Sequence, residues 1–255
     1  MLKVAVLLSI GRHPASGRPR RAPLDARALE LALRLPGAEI HAVHAGDPAE
    51  PVLRDYLGMG LDRLTVLEIP AGSDPVPALV AHLKALSPDL ILAGRCAEGG
   101  EDSGMLPYLV AQGLGAALLP DVADLSAGEG TATLTQALPR GRRRQAEARF
   151  PLVVSVHPAA PEPRQSAFAR ARRGLVEAVA ASAPQDGFIG ECEIRPWRPR
   201  PKRLRLAAGG SALERLKAAT ETKSGQGQVL VRPTADEAAR AIYEYLVEQR
   251  VIGTS

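Results

Sequence analysis

The segment best furnished for chemistry is Gly94-Arg95-Cys96-Ala97-Glu98-Gly99-Gly100-Glu101-Asp102-Ser103-Gly104-Met105. Its glycines let the backbone come close to a ligand. Arg95 supplies a cation, and Ser103-Gly104 opens a helix whose first N–H groups carry partial positive charge. Those parts suit a phosphate, with Arg95, Cys96, Gly100, Ser103, Gly104 and Met105 around it. Glu101 and Asp102 would cap the helix or accept from a ribose hydroxyl, and neither role is acid/base catalysis. A plain loop also needs glycines, so the reading depends on where the fold puts this one.

No hydrolytic constellation accompanies the segment. The five histidines, His13, His41, His44, His82 and His157, have no metal-ligand spacing. His41 and His157 read as strand histidines. His13 sits in the loop after the first strand. Cys96 and Cys192 are too far apart in sequence for a metal motif and read as thiols in a reducing compartment.

The elements that would position these residues alternate. Leu2 to Leu8 is a continuous apolar run, as expected of a strand covered on both faces. Pro14 to Pro23 is a Gly/Pro/Arg-rich loop. Asp25 then reads as the N-cap of a helix carrying Leu29, Leu31, Ala32 and Leu35, closed by Gly37. Strands follow at 39–44, 63–69 and 89–93, with helices at 49–57 and 75–86 between them. This βαβαβαβ order predicts an α/β fold, a doubly wound and mostly parallel Rossmann-like sheet. In such a sheet, ligands bind beyond the carboxyl ends of the strands, where strand order reverses. That points to Leu7 near the end of strand one, Ser9 to His13 after it, Ala45 after strand two, and Gly94 to Met105 after strand four.

A helix at 105–113 and strands at 131–137, 146–150 and 152–157 complete the predicted domain, with a hairpin among the strands. Residues 184–207 are rich in proline and arginine and read as extended chain. A helix is predicted at 211–219, a short strand at 229–231, and a final helix at 234–248, capped by Thr234 with Glu237 completing a capping box. The reading places a nucleotide-binding domain over 1–174 and an arm that lies on a partner over 175–255.

Aromatic residues make up 3% of the chain, so the core must be aliphatic. The net charge of +4 is local, concentrated at Arg20–Arg21, Arg140 to Arg144, Arg170 to Arg173 and Arg195 to Arg205. With few aromatics to stack bases and no nucleic-acid motif, the arginines do not predict a nucleic-acid partner. No apolar run approaches the roughly 20 residues of a membrane span, and the N-terminus lacks the charged region of a signal peptide. A cytoplasmic setting is expected.

Two families come into view. Gly99 to Ser103 matches the core of the SGGxDS loop of ATP pyrophosphatases. That loop follows the first strand in those enzymes and the fourth here, and Ala97-Glu98 stand where serine belongs. The broader resemblance is to the β subunit of electron transfer flavoproteins, over 2–174 and more weakly beyond. Leu53-Arg54 through Gly58-Met59-Gly60-Leu61-Asp62-Arg63 is similar to the family's LRxALAMGADR. Asp89 to Arg95 is similar to DLVLLGKQ, Phe150 to Ser155 to LPAVVT, and Glu162-Pro163-Arg164 to EPRY.

The resemblance implies an electron carrier without catalytic residues of its own, paired with an α subunit that holds most of the FAD. It implies AMP, or a second FAD, in the nucleotide site. It also implies a flavin-dependent dehydrogenase as donor and a membrane quinone oxidoreductase as acceptor. A partner-recognition loop would span about 158–174, with Glu162, Arg164, Phe168 and Arg170 docking and Phe168 in the place of the family's leucine anchor. His13 would neighbour the flavin. The chain departs from the pattern in a shorter nucleotide loop, in Ala22 and Ala45, and in Gln165 for the tyrosine of EPRY. The other reading of the residues is a free-standing nucleotide-binding module, and a long partner-seeking arm argues against it.

Overall fold

The computed structural model describes residues 1–98, 103–193 and 230–248. It divides into two compact units, Met1–Ile194 and Arg195–Ser255.

The first unit is built on a nine-stranded sheet. The strands are β1 (Lys3–Leu8), β4 (Glu39–Gly46), β5 (Arg63–Glu68), β6 (Leu90–Gly94), β7 (Ala117–Ala127), β8 (Thr131–Ala137), β9 (Arg143–Arg149), β10 (Leu152–Val156) and β11 (Leu175–Ala180). Their order is β11-β5-β4-β1-β6-β10-β7-β8-β9. Every pairing from β11 across to β7 is parallel, and β7-β8-β9 is antiparallel. From β1 the chain builds outward to β4 and β5, then returns to the other side with β6. Strand order therefore reverses between β1 and β6, as the alternating pattern predicts.

The strands are continuous apolar runs because both faces are covered. Val4, Val6 and Leu8 face one core cluster with α1 (Pro23–Leu33). Ala5 and Leu7 face a second with α3 (Pro75–Leu86) and α4 (Leu106–Leu114). Asp74 caps α3 by accepting from Val76 N–H, and Ser87 ends it in the left-handed region. Those signals explain why its predicted and observed bounds coincide.

Several expectations change. The loop 14–23 is partly a hairpin of β2 (Ile10–Arg12) and β3 (Pro19–Arg21). The helix predicted over 49–57 is shorter, α2 (Leu53–Leu57), because turns occupy the residues before it. Asp25 is not an N-cap: Ala22 holds that position without a side-chain bond, and Asp25 is buried in the first turn. Strand β7 is new. Pro120 and Asp121 interrupt its pattern, and Asp121 has a φ of 57° where the register shifts. His157 lies one residue past β10. Residues 175–180, read as the start of the arm, form β11 at the sheet edge beside β5. Within 184–193, Asp186 caps a short helix, α6 (Gly187–Glu191), instead of extended chain.

In the second unit, α7 spans Ala235–Glu248. Its capping box is formed: Thr234 N–H donates to Glu237 Oε2 at 2.9 Å, and Glu237 N–H to Thr234 Oγ1 at 3.4 Å. Ile242, Tyr243 and Tyr245 on this helix are all more than half exposed. Leu230 and Val231 do not form a strand. The predicted helix at 211–219 and Val229 lie outside the described residues. Among the described residues, no helix is long and apolar enough to cross a membrane.

Candidate functional site

The carboxyl ends of β1, β4 and β6 lie side by side. Leu8 pairs with His44, and Val6 with Leu92. The register thus brings Ser9, Ala45, Gly94 and Arg95 to one edge, as the sequence predicts. Leu7 is different: it lies inside β1, paired with Val43, and its side chain is buried on the α3/α4 side.

Asp25 ties this edge together. Its Oδ2 accepts from Ser9 N–H at 2.7 Å and from Ser9 Oγ at 2.5 Å. Its Oδ1 accepts from Gly94 N–H at 2.9 Å. The ends of β1 and β6 and the first turn of α1 are thus joined by one carboxylate. Gly94 is required for this approach, since a Cβ there would lie 2.4 Å from Asp25 Oδ1. Burial pushes the carboxyl up, and the bonds from Ser9 and Gly94 offset only part of that, leaving it at about 6.

The hairpin folds over this point. Tyr56 Oη accepts from Ala22 N–H and donates to Ser9 O, both at 2.8 Å. Arg20 pairs with Glu98 at 2.5 Å, tying β3 to the loop after β6. Gly11 lets the hairpin pack closely, because a Cβ there would lie 3.1 Å from Ala22 Cα. His13 is exposed at the hairpin turn, where its Nδ1 accepts from Ala15 and Ser16 N–H at 3.3 Å.

These contacts set what the site can hold. The floor donors, Ser9 N–H and Gly94 N–H, already serve an internal carboxylate, so a phosphate is disfavoured there. Gly104 (φ +70°) packs its backbone on Arg95 O, leaving no space for a Cβ, and Ser103 Oγ accepts from Met105 N–H at 3.4 Å. Arg95 is half-exposed and 3.4 Å from Asp121 Oδ1. Asp121 N–H donates to Ser155 Oγ at 3.2 Å. Gly100, Glu101 and Asp102 lie outside the described residues. Cys96 is half-buried, and neither cysteine is in a disulfide. Among the described residues, no His/Cys/Asp/Glu group could hold a metal ion.

The segment 158–174 is held from two sides. Arg164 grips Glu30 on α1 with Nε to Oε2 at 2.8 Å and Nη2 to Oε1 at 3.1 Å. Arg34 adds a bond to Oε1 at 3.0 Å. Burial alone would raise the Glu30 carboxyl, but these two arginines outweigh it and bring it down to about 2. Arg27 pairs with the exposed Glu162 at 2.8 Å. On the other side, Ala167 N–H donates to Gly58 O at 2.9 Å. Arg54 Nη1 donates to the Ala171 and Gly174 carbonyls at 3.2 Å, at the end of α5 (Phe168–Arg173). Gly174 lies so close to Leu57 that a Cβ would be 2.9 Å away. The stretch 53–63 is therefore a seat for this loop. Arg164 works within the fold, whereas Phe168, the first residue of α5, stands 79% exposed. Arg170 is also exposed, in the last turn of α5.

A family model described as the electron transfer flavoprotein domain matches residues 18–184. The chain belongs to the electron transfer flavoprotein family. It is also similar to the electron transfer flavoprotein subunit beta of Chromohalobacter salexigens, with 47% identity over 256 residues, 98% of this chain and 96% of that protein. For an electron transfer flavoprotein β-type chain, the seat at 53–63 and the loop it holds lie within the matched span. Sequence reasoning missed Asp25 as a latch, together with Tyr56, the Arg20–Glu98 pair and Asp121. Each depends on a partner distant in sequence, and a Ser-Ile-Gly run after a strand carries no trace of it.

Proposed function

We propose that this chain is the β subunit of a heterodimeric electron transfer flavoprotein, moving electrons from a flavin-dependent dehydrogenase towards the quinone pool through a membrane quinone oxidoreductase. The observation that carries the reading is Phe168. A large apolar side chain, 79% exposed on a segment locked by Glu30, Arg54 and Gly58, contributes little to its own fold. Rigid, exposed aromatics beside arginines are what interface anchors look like.

The FAD is held mostly by the α subunit, and this chain adds one wall with His13 on its hairpin. Bound flavin supplies the redox chemistry, and the chain positions it and docks the donor. Where AMP binds, Arg95, Ser103 and the N-terminus of α4 hold its phosphate. The Asp25 carboxylate keeps that phosphate off the crevice floor and leaves Ser9 and Ala45 to the nucleoside. Asp25 is a structural latch and not an acid or base, because three donors already occupy its carboxylate. The exposed Ile242, Tyr243 and Tyr245 of α7 suit an arm that lies on the α subunit. The complex works in the cytoplasm.

Assembly tests this reading. Mixed with a candidate α subunit, the chain should sediment as one 1:1 species. Two species that stay separate at micromolar concentration would contradict it.

A further inference from the structure

Strand β9 forms one end of the sheet, with β8 on one side and, among the described residues, no strand on the other. The register shows which backbone groups face outward. Phe150 N–H donates to Gly130 O at 3.1 Å, and Leu138 N–H to Arg142 O at 2.9 Å. Bonded and non-bonded pairs alternate along an antiparallel ladder. Between those two bonds, the bonded pairs are Ala148 with Ala132, Ala146 with Leu134 and Arg144 with Gln136. Arg143, Gln145, Glu147 and Arg149 therefore turn N–H and C=O away from β8. All four are exposed, while Ala146 and Ala148 are half-buried. Such an edge templates another strand.

Charge selects the strand that fits. From 140 to 149, Arg140, Arg142, Arg143, Arg144 and Arg149 face a single acid, Glu147. A second copy, paired antiparallel about Ala146, would set Arg143 against Arg149 at both ends, and like charges opposed across strands are destabilising. The chain's own segment at 195–205 is also basic, with Arg195, Arg198, Arg200, Lys202, Arg203 and Arg205. The opposite edge, β11, has no run of one sign, and its Glu177 pairs with Arg63 at 3.2 Å.

We propose that β9 is a docking edge on which an acidic, extended segment of the partner subunit adds as a tenth strand. The inference rests on the heterodimer reading above. Backbone bonds hold the added strand, and Arg143 and Arg149 select its charge.

Hydrogen exchange on the full chain, alone and in complex with the α subunit, tests the proposal beside two variants. In the complex, the amides of Arg143, Gln145, Glu147 and Arg149 should exchange at least tenfold more slowly. Gln145→Pro removes an outward N–H and spares the β8 ladder, so it should keep its melting temperature and bind at least tenfold more weakly. Arg143→Glu with Arg149→Glu should weaken binding similarly, with a loss that shrinks as salt rises. This second variant carries the test if the proline variant does not fold. If the unaltered chain forms no complex, the heterodimer reading fails and takes this inference with it. If the complex forms while these amides exchange as fast as in the free chain, or both variants bind with unchanged affinity, only this inference falls.

Discussion

Phe168→Ala lowers the second-order rate constant for electron uptake from the donor dehydrogenase by about 30-fold or more, with the bound flavin unchanged. Truncating an interface anchor costs about 2 kcal/mol or more, equivalent to that factor in affinity. The side chain is 79% exposed at the start of α5, so its loss should leave the melting temperature of the free protein unaltered. The arginines that follow, Arg170, Arg172 and Arg173, sit in the last turn of α5 and would form the polar rim of the proposed interface. Arg170→Ala should therefore cost only a few-fold, and that cost should shrink in salt. Stopped-flow reduction of the complex by its donor measures both. Uptake by Phe168→Ala at the unaltered rate would remove this residue from the docking surface.

Asp25→Asn changes how stability depends on pH. In the folded chain, burial holds the Asp25 carboxyl at about 6, against 3.8 for an unburied aspartate. Between those values the folded state binds more protons than the unfolded state, so the stabilisation from Asp25 is complete below pH 3.8. It is lost as pH rises through 6. A difference of that size is worth about 3 kcal/mol. Glu30 acts in the opposite sense, because its folded carboxyl is brought down to about 2. Its contribution is present above pH 4.5 and disappears as pH falls towards 2. Subtracting the variant's unfolding free energy from that of the unaltered chain cancels Glu30. The remaining difference should be larger at pH 4 than at pH 7, by about 2 kcal/mol. A difference that does not vary with pH would mean that Asp25 is ionised throughout.

These expectations show how far the residues alone could be read. Helix α3 was legible to the residue because Asp74 caps it, Pro75 opens it and Ser87-Pro88 stops it, all local signals. The reversal of strand order between β1 and β6 was legible from the alternation of apolar runs. Strand β7 was not, because Pro120-Asp121 reads as a break and the chain resumes pairing only after Asp121 takes a positive φ. Asp25 was misread for a similar reason. An aspartate ahead of an apolar helix resembles a cap, and only the fold brings Gly94 N–H to its other oxygen. The pairing of Arg164 with Glu30 was not legible, because 134 residues separate the two in sequence. The exposure of Phe168 was legible, because an apolar residue in a basic loop has no local use.

An absorbance spectrum tests the central claim most directly. The chain is purified alone and again after co-expression with a candidate α subunit, and both samples are scanned through the visible range. The account predicts a colourless chain by itself and a flavin spectrum in the co-purified complex, with one FAD per pair and any AMP released on denaturation. A stable, colourless monomer that ignores the α subunit would contradict it and leave a free-standing nucleotide-binding protein.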